Sequence, residues 1–352
     1  PVIQPILGLA MWIVFPHADT GAIFMLALSA LWFGADDGAS SFSQLVWPSE
    51  LLSARPFYNA SQCRASRFRP AGPVVWLRLA NVQPGFGLSV STCSDPQLAA
   101  DTDLSIFAGP CDQLVQIARE LGFNSIDYNQ LDDWRQGGNL PERPIMFDFD
   151  HPVKSMRYEV CEILARYGYS GNLFVNTGWM DPNAEGYGET TATWQELREL
   201  LDLGWHIGAH TVTHPNLSAL VAEDPGGEKL QWELETCDAT IKQHLGVQPR
   251  DFAFTGTSWS SVAEEKVMAR YRFGRLWIVG AHYQADGEQV RYADLVGVTA
   301  EDEADGGPPQ AARYITRDSN PHRLPSMEIQ CPLIHDPQAF RAYLMEALGV
   351  DG

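Results

Sequence analysis

The segment Ile145-Met-Phe-Asp-Phe-Asp150 combines the pattern of a buried strand with two acidic residues. Successive side chains of a strand point to opposite faces, so Asp148 and Asp150 share one face while Phe147 and Phe149 share the other. Two carboxylates at the end of an apolar strand repel each other unless a cation or strong donors lie between them. A helix-capping role would account for one of them, but hardly for both. The segment therefore predicts a functional site at the end of a central strand.

A second candidate segment is His206-Ile-Gly-Ala-His-Thr-Val-Thr-His214, whose last two histidines are four residues apart. They follow a predicted strand, on the kind of loop where parallel α/β folds gather their ligands. His210 and His214 can reach one metal ion if the segment between them turns helically. Catalytic zinc commonly takes three protein ligands from His and carboxylate side chains and keeps a position open for water. The pair is therefore a candidate for two of three metal ligands.

The sequence around these segments alternates between strand and helix patterns. The predicted strands are 125–128, 145–150, 172–175, 206–209, 250–254, 275–279 and 327–334. The predicted helices are 130–136, 156–167, 194–203, 228–245, 263–270 and 337–348. Such alternation is typical of βα units with a parallel sheet, either open or closed into a barrel. Residues 284–320, which are acidic and contain Gly and Pro, are expected to form a long surface loop.

The first 110 residues differ from the rest of the chain in composition and in sequence pattern. Residues 1–39 are predicted to be a hydrophobic N-terminal segment, and residues 40–110 a β-rich accessory region. Strand patterns in that region are Val74–Leu79, Gly87–Thr92 and Asp103–Phe107. From Cys111 apolar residues repeat at helical spacing, so a catalytic domain over residues 111–352 is expected to begin there.

The composition excludes several kinds of partner. With 44 acidic and 24 basic residues the formal net charge is -20, which would repel nucleic acid and an anionic membrane surface. The six cysteines are scattered without a CxxC pair, so a cysteine-ligated metal is not expected.

Two apolar runs near the start of the chain, 6–15 and 21–35, are both shorter than the ~20 residues of a membrane span. The second ends in small residues like a signal-peptide core, although no Lys or Arg precedes Arg55. We therefore expect a secreted or periplasmic protein in which only residues 1–35 could associate with a membrane.

Several blocks of the sequence occur in the order and spacing of one known family. They are Leu121-Gly-Phe, Leu131-Asp-Asp-Trp134, Arg143-Pro-Ile-Met-Phe-Asp-Phe-Asp150, Tyr167-Gly-Tyr-Ser-Gly-Asn-Leu-Phe-Val175, Leu203-Gly-Trp-His-Ile-Gly-Ala-His-Thr-Val-Thr-His214 and Leu245-Gly-Val. From about Cys111 to Leu348 the chain thus resembles the polysaccharide deacetylases of carbohydrate esterase family 4, the nodulation-type deacetylase domain.

This resemblance implies an α/β fold, a distorted (β/α) barrel, preceded here by the small β-rich N-terminal region. It implies a hydrolase that uses a divalent metal, usually Zn2+, to remove acetyl groups from an acetylated polysaccharide. Carried onto this chain, it makes Asp150, His210 and His214 the metal ligands. Asp148 is then the general base for a metal-bound water. His335, with His322 as the second candidate, is the acid that protonates the leaving amine.

The resemblance leaves the roles around Asp150 open. The family motif has adjacent aspartates, Thr-Phe-Asp-Asp-Gly, whereas here the two acids are separated by one residue. An ungapped alignment would instead make Asp150 the base and His151 the third metal ligand. The block Phe252–Trp259 lacks the usual proline and arginine, and Arg250 or Arg275 could take the place of the latter.

Two other functions stay open on the sequence alone. One is a metal-free amidohydrolase that cleaves a small cyclic amide on the same fold. The other is a non-catalytic carbohydrate-binding relative. Trp179, Tyr187 and Trp259 could stack on sugar rings of a carbohydrate, although packing is the commoner role of such residues.

Overall fold

The computed structural model describes residues 86–93, 105–328 and 337–349, and side chains from residue 111 onwards within these ranges. The strands are β1 (Phe86–Cys93), β2 (Asn124–Ser125), β3 (Pro144–Asp150), β4 (Asn172–Val175), β5 (His206–Ala209), β6 (Asp251–Ala253), β7 (Ser258–Trp259), β8 (Phe273–Ile278), β9 (His282–Ala285), β10 (Glu288–Arg291), β11 (Ile315–Thr316) and β12 (Leu324–Glu328). The α-helices are α1 (Ser105–Glu120), α2 (Tyr128–Arg135), α3 (Cys161–Arg166), α4 (Trp194–Asp202), α5 (Leu220–Glu223), α6 (Glu228–Leu245), α7 (Ser261–Met268), α8 (Tyr292–Leu295) and α9 (Pro337–Ala347).

Parallel pairings join seven of the described strands into a closed ring. The order is β3, β4, β5, β6, β8 and β12, and β1 pairs in parallel with both β12 and β3. The short strand β2 pairs with the start of β3, and β11 pairs antiparallel with the start of β1. The predicted distorted (β/α) barrel is therefore confirmed. Within the described residues no helix is long and apolar enough to cross a membrane.

The N-terminal part of the prediction needs correction where it is described. The strand pattern at Gly87–Thr92 is not a separate accessory unit, because β1 pairs along its length with β3. The strand predicted at Asp103–Phe107 is wrong from Ser105 onwards, since α1 begins there. Short alternating runs do not reveal which sheet they join, because pairing depends on distant residues. The division into residues 1–39, 40–110 and 111–352 stays a prediction, since residues 1–85 lie outside the described ranges.

Side-chain caps explain where several helices begin. Asp127 accepts a hydrogen bond from the Gln130 amide at 2.8 Å and donates its own amide to the Gln130 side chain at 3.1 Å. This capping box starts α2 at Tyr128, two residues before the predicted start. The equivalent pair of Thr193 and Glu196 starts α4 where the sequence predicts it.

The expected surface loop at residues 284–320 contains a β-hairpin. β9 and β10 pair antiparallel around Asp286-Gly287, and both turn residues have positive φ, 50° and 83°. An Asp-Gly pair between alternating residues is a strong hairpin signal, because a two-residue turn of this type requires left-handed backbone at both positions. The prediction of one long surface loop over residues 284–320 is therefore wrong.

The barrel has an apolar outside and a partly charged inside. Ile145, Phe147 and Phe149 of β3 pack outwards into the large core under the helices. Met146 points inwards to a smaller cluster, and the alternation puts Asp148 and Asp150 on that same inner face. The shared face predicted for the two aspartates is thus the interior of the barrel.

We predict that Gly208→Ala destabilises the barrel. A Cβ at Gly208 of β5 would lie 2.5 Å from the Phe174 ring and 3.0 Å from the Asp251 carbonyl oxygen. Overpacking of this kind costs about 1–3 kcal/mol. Urea unfolding should show this loss for Gly208→Ala.

The matched control is Gly280→Ala, where the new Cβ would come no closer than 3.5 Å to another atom, the Gly306 oxygen. Equal midpoints for the two variants would contradict the packing described for β5.

Candidate metal centre and its buried ion pair

Three histidines converge where barrel strands end. His151 directly follows β3, His210 directly follows β5, and His214 lies one turn further along the same loop. One nitrogen from each ring lies within 4.8 Å of the others. Their ring centroids are 5.0–5.1 Å apart, which makes the group nearly equilateral. The two histidines predicted as ligands are therefore brought together, and the third member is His151.

A chain of hydrogen bonds sets the orientation of two of these rings. The Ala253 carbonyl can only accept, so His210 donates from Nδ1 at 2.8 Å and its Nε2 carries the lone pair. The Asn176 amide donates from Nδ2 to the His210 carbonyl oxygen at 2.5 Å. Asn176 Oδ1 therefore faces His151 Nδ1, which must donate to it. Both rings thus present Nε2 to the centre of the group.

The electrostatic surroundings keep these rings neutral. Burial, with a smaller contribution from His210, lowers the pKa of His151 to about 3. Burial and then His214 hold the pKa of His210 well below its usual value. Neutral imidazoles are the form that binds a metal. In addition, His210 Nε2 is buried without a hydrogen-bond partner among the described residues. The group therefore fits a divalent metal with a preference for nitrogen ligands, such as zinc.

The backbone around the ligands adopts unusual conformations. His151, Thr211 and His214 have φ values of 70°, 66° and 59°, in the left-handed region that non-glycine residues rarely occupy. Each such residue costs on the order of 1–3 kcal/mol and persists only where the surroundings impose it. The Thr211 hydroxyl contributes by accepting a hydrogen bond from the His214 amide at 3.1 Å.

Asp150 is engaged by an arginine rather than grouped with the histidines. Arg275 of β8 lies in the barrel interior, fully buried, and donates from Nη2 to Asp150 Oδ1. Desolvation opposes the charge of Arg275, but Asp150 and then Asp148 outweigh it and raise the pKa of the guanidinium. The arginine is therefore charged at every physiological pH. Of the two arginines considered from the sequence, Arg275 contacts this aspartate, whereas Arg250 pairs at 3.8 Å with Asp132.

Asp148 lies deeper in the barrel than Asp150. The register aligns Asp148 with Asn172 and then with His206, four residues before His210. At about 3.3 Å per residue this places Asp148 ~13 Å below the level of His210, and Asp150 only ~7 Å below it. Asp148 accepts hydrogen bonds from Tyr128 Oη at 2.8 Å and from Asn172 Nδ2 at 3.0 Å.

The remaining predicted residues lie at different places in the chain and the barrel. His335 lies outside the described residues, so its assignment as the acid stays a prediction. His322 is near the opposite end of the barrel, where Nε2 bonds the Tyr271 carbonyl oxygen at 3.0 Å. Trp179 stacks on His151 with ring centroids 4.3 Å apart. Asn176 was not predicted, although it is a polar residue directly after β4, just as His151 and His210 directly follow their strands.

These features define an α/β-barrel protein with a candidate metal centre at the carboxyl ends of its strands. Residues 137–272 match the family model described as polysaccharide deacetylase. The resemblance inferred from the sequence blocks is thereby confirmed, because this stretch of the chain matches the polysaccharide deacetylase model. None of the curated protein sequences matches the chain.

Solved structures resemble this chain at low sequence identity. The Streptococcus pyogenes deacetylase PplD, solved in complex with acetate, is 14% identical, with a TM-score of 0.52 over 76% of this chain and 99% of that one. The deacetylase domain of BpsB from Bordetella bronchiseptica is 18% identical, with a TM-score of 0.49 over 68% and 95%. A carbohydrate esterase family 4 pseudoenzyme from Bacillus anthracis is 14% identical, with a TM-score of 0.27 over 45% and 42%. The first of these supports the fold, and a shared fold does not by itself establish catalysis.

We predict that Asn176→Ala weakens zinc binding about 10- to 100-fold, the usual effect of losing a residue that orients a metal ligand. The substitution removes the acceptor for His151 Nδ1 and the donor to the His210 carbonyl. Competition with a chromophoric chelator measures the affinity.

The control is Asn183→Ala on an exposed loop, where the side-chain amide donates to Asp181 Oδ1 at 3.0 Å. If both variants bound zinc equally well, Asn176 would have no part in orienting the ligands.

Proposed function

We propose that this protein is a metal-dependent deacetylase that removes acetyl groups, at nitrogen or oxygen, from an acetylated polysaccharide. The observation that carries the proposal is the group of three imidazoles beside the buried pair of Asp150 and Arg275. The family match supports the hydrolase class and the carbohydrate substrate. The similar Streptococcus pyogenes deacetylase was solved with acetate, the acid that this reaction would release.

In this proposal His151, His210 and His214 hold the metal. His151 takes the third position, which the sequence analysis gave to Asp150, because its ring nitrogen lies with those of the other two histidines. When bound, a divalent ion such as Zn2+ supplies a Lewis acid that polarises the acetyl carbonyl and lowers the pKa of water. Three neutral ligands leave the full charge of the ion available for this polarisation.

Asp150 is the general base in this proposal. It precedes His151 in the chain, and its charge acts directly on that ring. Arg275 holds its Oδ1 and so fixes the orientation of the carboxylate before substrate arrives. A positioned carboxylate of this kind can take the proton of the attacking water. His335 stays the proposed acid at the end of the sequence segment that follows β12.

Asp148 then has a supporting role. It accepts hydrogen bonds from Tyr128 and Asn172. Its carboxylate lies 3.9 Å from Arg275 Nε, so it contributes to the buried ion pair from deeper in the barrel. Together the two carboxylates keep Arg275 in place. The predicted assignment of Asp148 as the base is therefore replaced by Asp150, the alternative that the ungapped alignment offered.

The structure favours this function over the two alternatives. A metal-free amidohydrolase would leave the buried His210 Nε2 uncompensated, at a cost of about 1–3 kcal/mol. A carbohydrate-binding relative without catalysis would have no need for three imidazoles whose nitrogens lie within 4.8 Å of one another. A polymeric substrate also agrees with our proposal that the protein acts in a secreted or periplasmic location, which cell fractionation would test.

The test combines metal analysis with acetate release from chitooligosaccharides and acetylated xylan. We predict that wild type binds one zinc per chain and releases acetate. Asp150→Asn should keep the zinc and lose about 10²- to 10⁴-fold in kcat, the usual contribution of a general base. His151→Ala should lose the zinc, because the ligand set falls from three to two.

Two matched variants complete the experiment. His282→Ala removes an exposed histidine and should change neither zinc content nor kcat. Asp148→Asn should reduce stability more than kcat, once rates are corrected for the folded fraction. The assignment of the base would be wrong if Asp148→Asn abolished acetate release while Asp150→Asn remained active.

A further inference from the structure

The loop between His210 and His214 is held from two sides. On one side the Thr177 and Gly178 amides donate to the Thr211 and Val212 carbonyl oxygens at 3.1 and 3.0 Å. On the other side a carboxylate, Glu233, accepts the loop's own amides. Neither contact involves a metal ligand directly, yet both fix the backbone that carries two of them.

Glu233 makes three hydrogen bonds to this loop. The Val212 and Thr213 amides donate to Glu233 Oε2 at 2.7 and 2.9 Å, and the Thr213 hydroxyl donates to Oε1. The glutamate side chain is buried, and burial strengthens hydrogen bonds to a charged acceptor. One side chain thus binds two of the three residues that separate His210 from His214.

The helix that carries Glu233 is itself well anchored. Asp224 accepts from the Glu228 and Leu230 amides at 3.1 and 3.0 Å and so caps the start of α6. Further along α6, the Cys237 thiol donates to the Val175 carbonyl oxygen of β4 at 3.5 Å. Glu233 therefore projects from a helix that is fixed against the barrel, which makes it a rigid point for the loop.

We propose that Glu233 is a positioning residue that sets the spacing of His210 and His214 as metal ligands. Thr211 and His214 occupy left-handed backbone conformations that the chain would leave without an external constraint. The hydrogen bonds of Glu233 supply that constraint on the amide side of the loop. Without them the loop relaxes, and the two ring nitrogens no longer meet that of His151.

This inference rests on the proposed function, but the effect of Glu233 on the loop can be measured in metal-free protein. The variants are Glu233→Leu, which removes all three acceptors, and Glu233→Gln, whose amide oxygen keeps the backbone bonds while its NH2 donates to the Thr213 hydroxyl. The control is Glu235→Leu, an exposed glutamate on the same helix. The measurements are amide hydrogen exchange of metal-free protein, zinc affinity by chelator competition, and kcat and KM for acetate release.

In Glu233→Leu we expect at least about tenfold faster exchange at Val212 and Thr213, and a loss of zinc affinity of about 10- to 100-fold. At subsaturating zinc the kcat for acetate release should decrease while KM stays the same, and added zinc should restore much of the kcat. Glu233→Gln should retain most of the zinc affinity, and Glu235→Leu all of it. This pattern supports a positioning role.

A merely structural role predicts a different pattern. The proposal would be overturned if Glu233→Leu exchanged faster but had the same zinc affinity and kcat as the control Glu235→Leu. Wild type that binds no zinc and releases no acetate would overturn the proposed function, and the role of Glu233 with it. The exchange data then show separately whether Glu233 holds the loop.

Discussion

The interior of this barrel is organised around the ion pair between Arg275 and Asp150. A guanidinium with no solvent exposure is stable only if its charge is met by carboxylates and hydrogen bonds. β8 supplies the arginine, and β3 supplies Asp150 and, one strand period deeper, Asp148. Because breaking such a pair leaves an uncompensated buried charge, the positions of β3 and β8 across the barrel are closely coupled. The end of β3 is thereby fixed, and with it the start of the segment that carries His151.

Hydrogen bonds from main-chain groups of the barrel fix the orientation of the candidate ligand histidines. The Ala253 carbonyl of β6 orients His210, the His210 carbonyl orients Asn176, and Asn176 orients His151. Each step joins neighbouring strands β6, β5, β4 and β3 at the same rim. The site thus depends on strand register, since a shift of one residue would turn each polar side chain to the opposite face. This dependence explains why a closed parallel barrel is a suitable support for it.

Much of the fold could be predicted from the sequence, because local patterns determine it. β4, β5 and α6 have the predicted bounds, and the capping box at Thr193 marks the start of α4. The membership of β1 in the barrel could not be predicted in this way, because parallel pairing joins Leu88–Cys93 to residues more than fifty positions away. The hairpin of β9 and β10 did have a local signal, the Asp286-Gly287 turn.

The site was predicted in part for related reasons. The spacing of His210 and His214 and the alternation of Asp148 and Asp150 are local, and both are present in the structure. Local sequence could not decide between Asp150 and His151 as the third candidate ligand, because the contact of Asp150 with Arg275 of β8 is long-range. Asn176 and Glu233 contact the histidine segments from other elements. The sequence next to the histidines therefore does not indicate either residue.

We propose that three imidazoles, and no carboxylate, hold one divalent metal. X-ray absorption of the zinc-loaded protein tests it most directly, because multiple scattering from imidazole rings counts histidine ligands. We predict three imidazoles with Zn–N distances of about 2.0–2.1 Å. A fit that required two imidazoles and a carboxylate oxygen would contradict it and would return Asp150 to the metal.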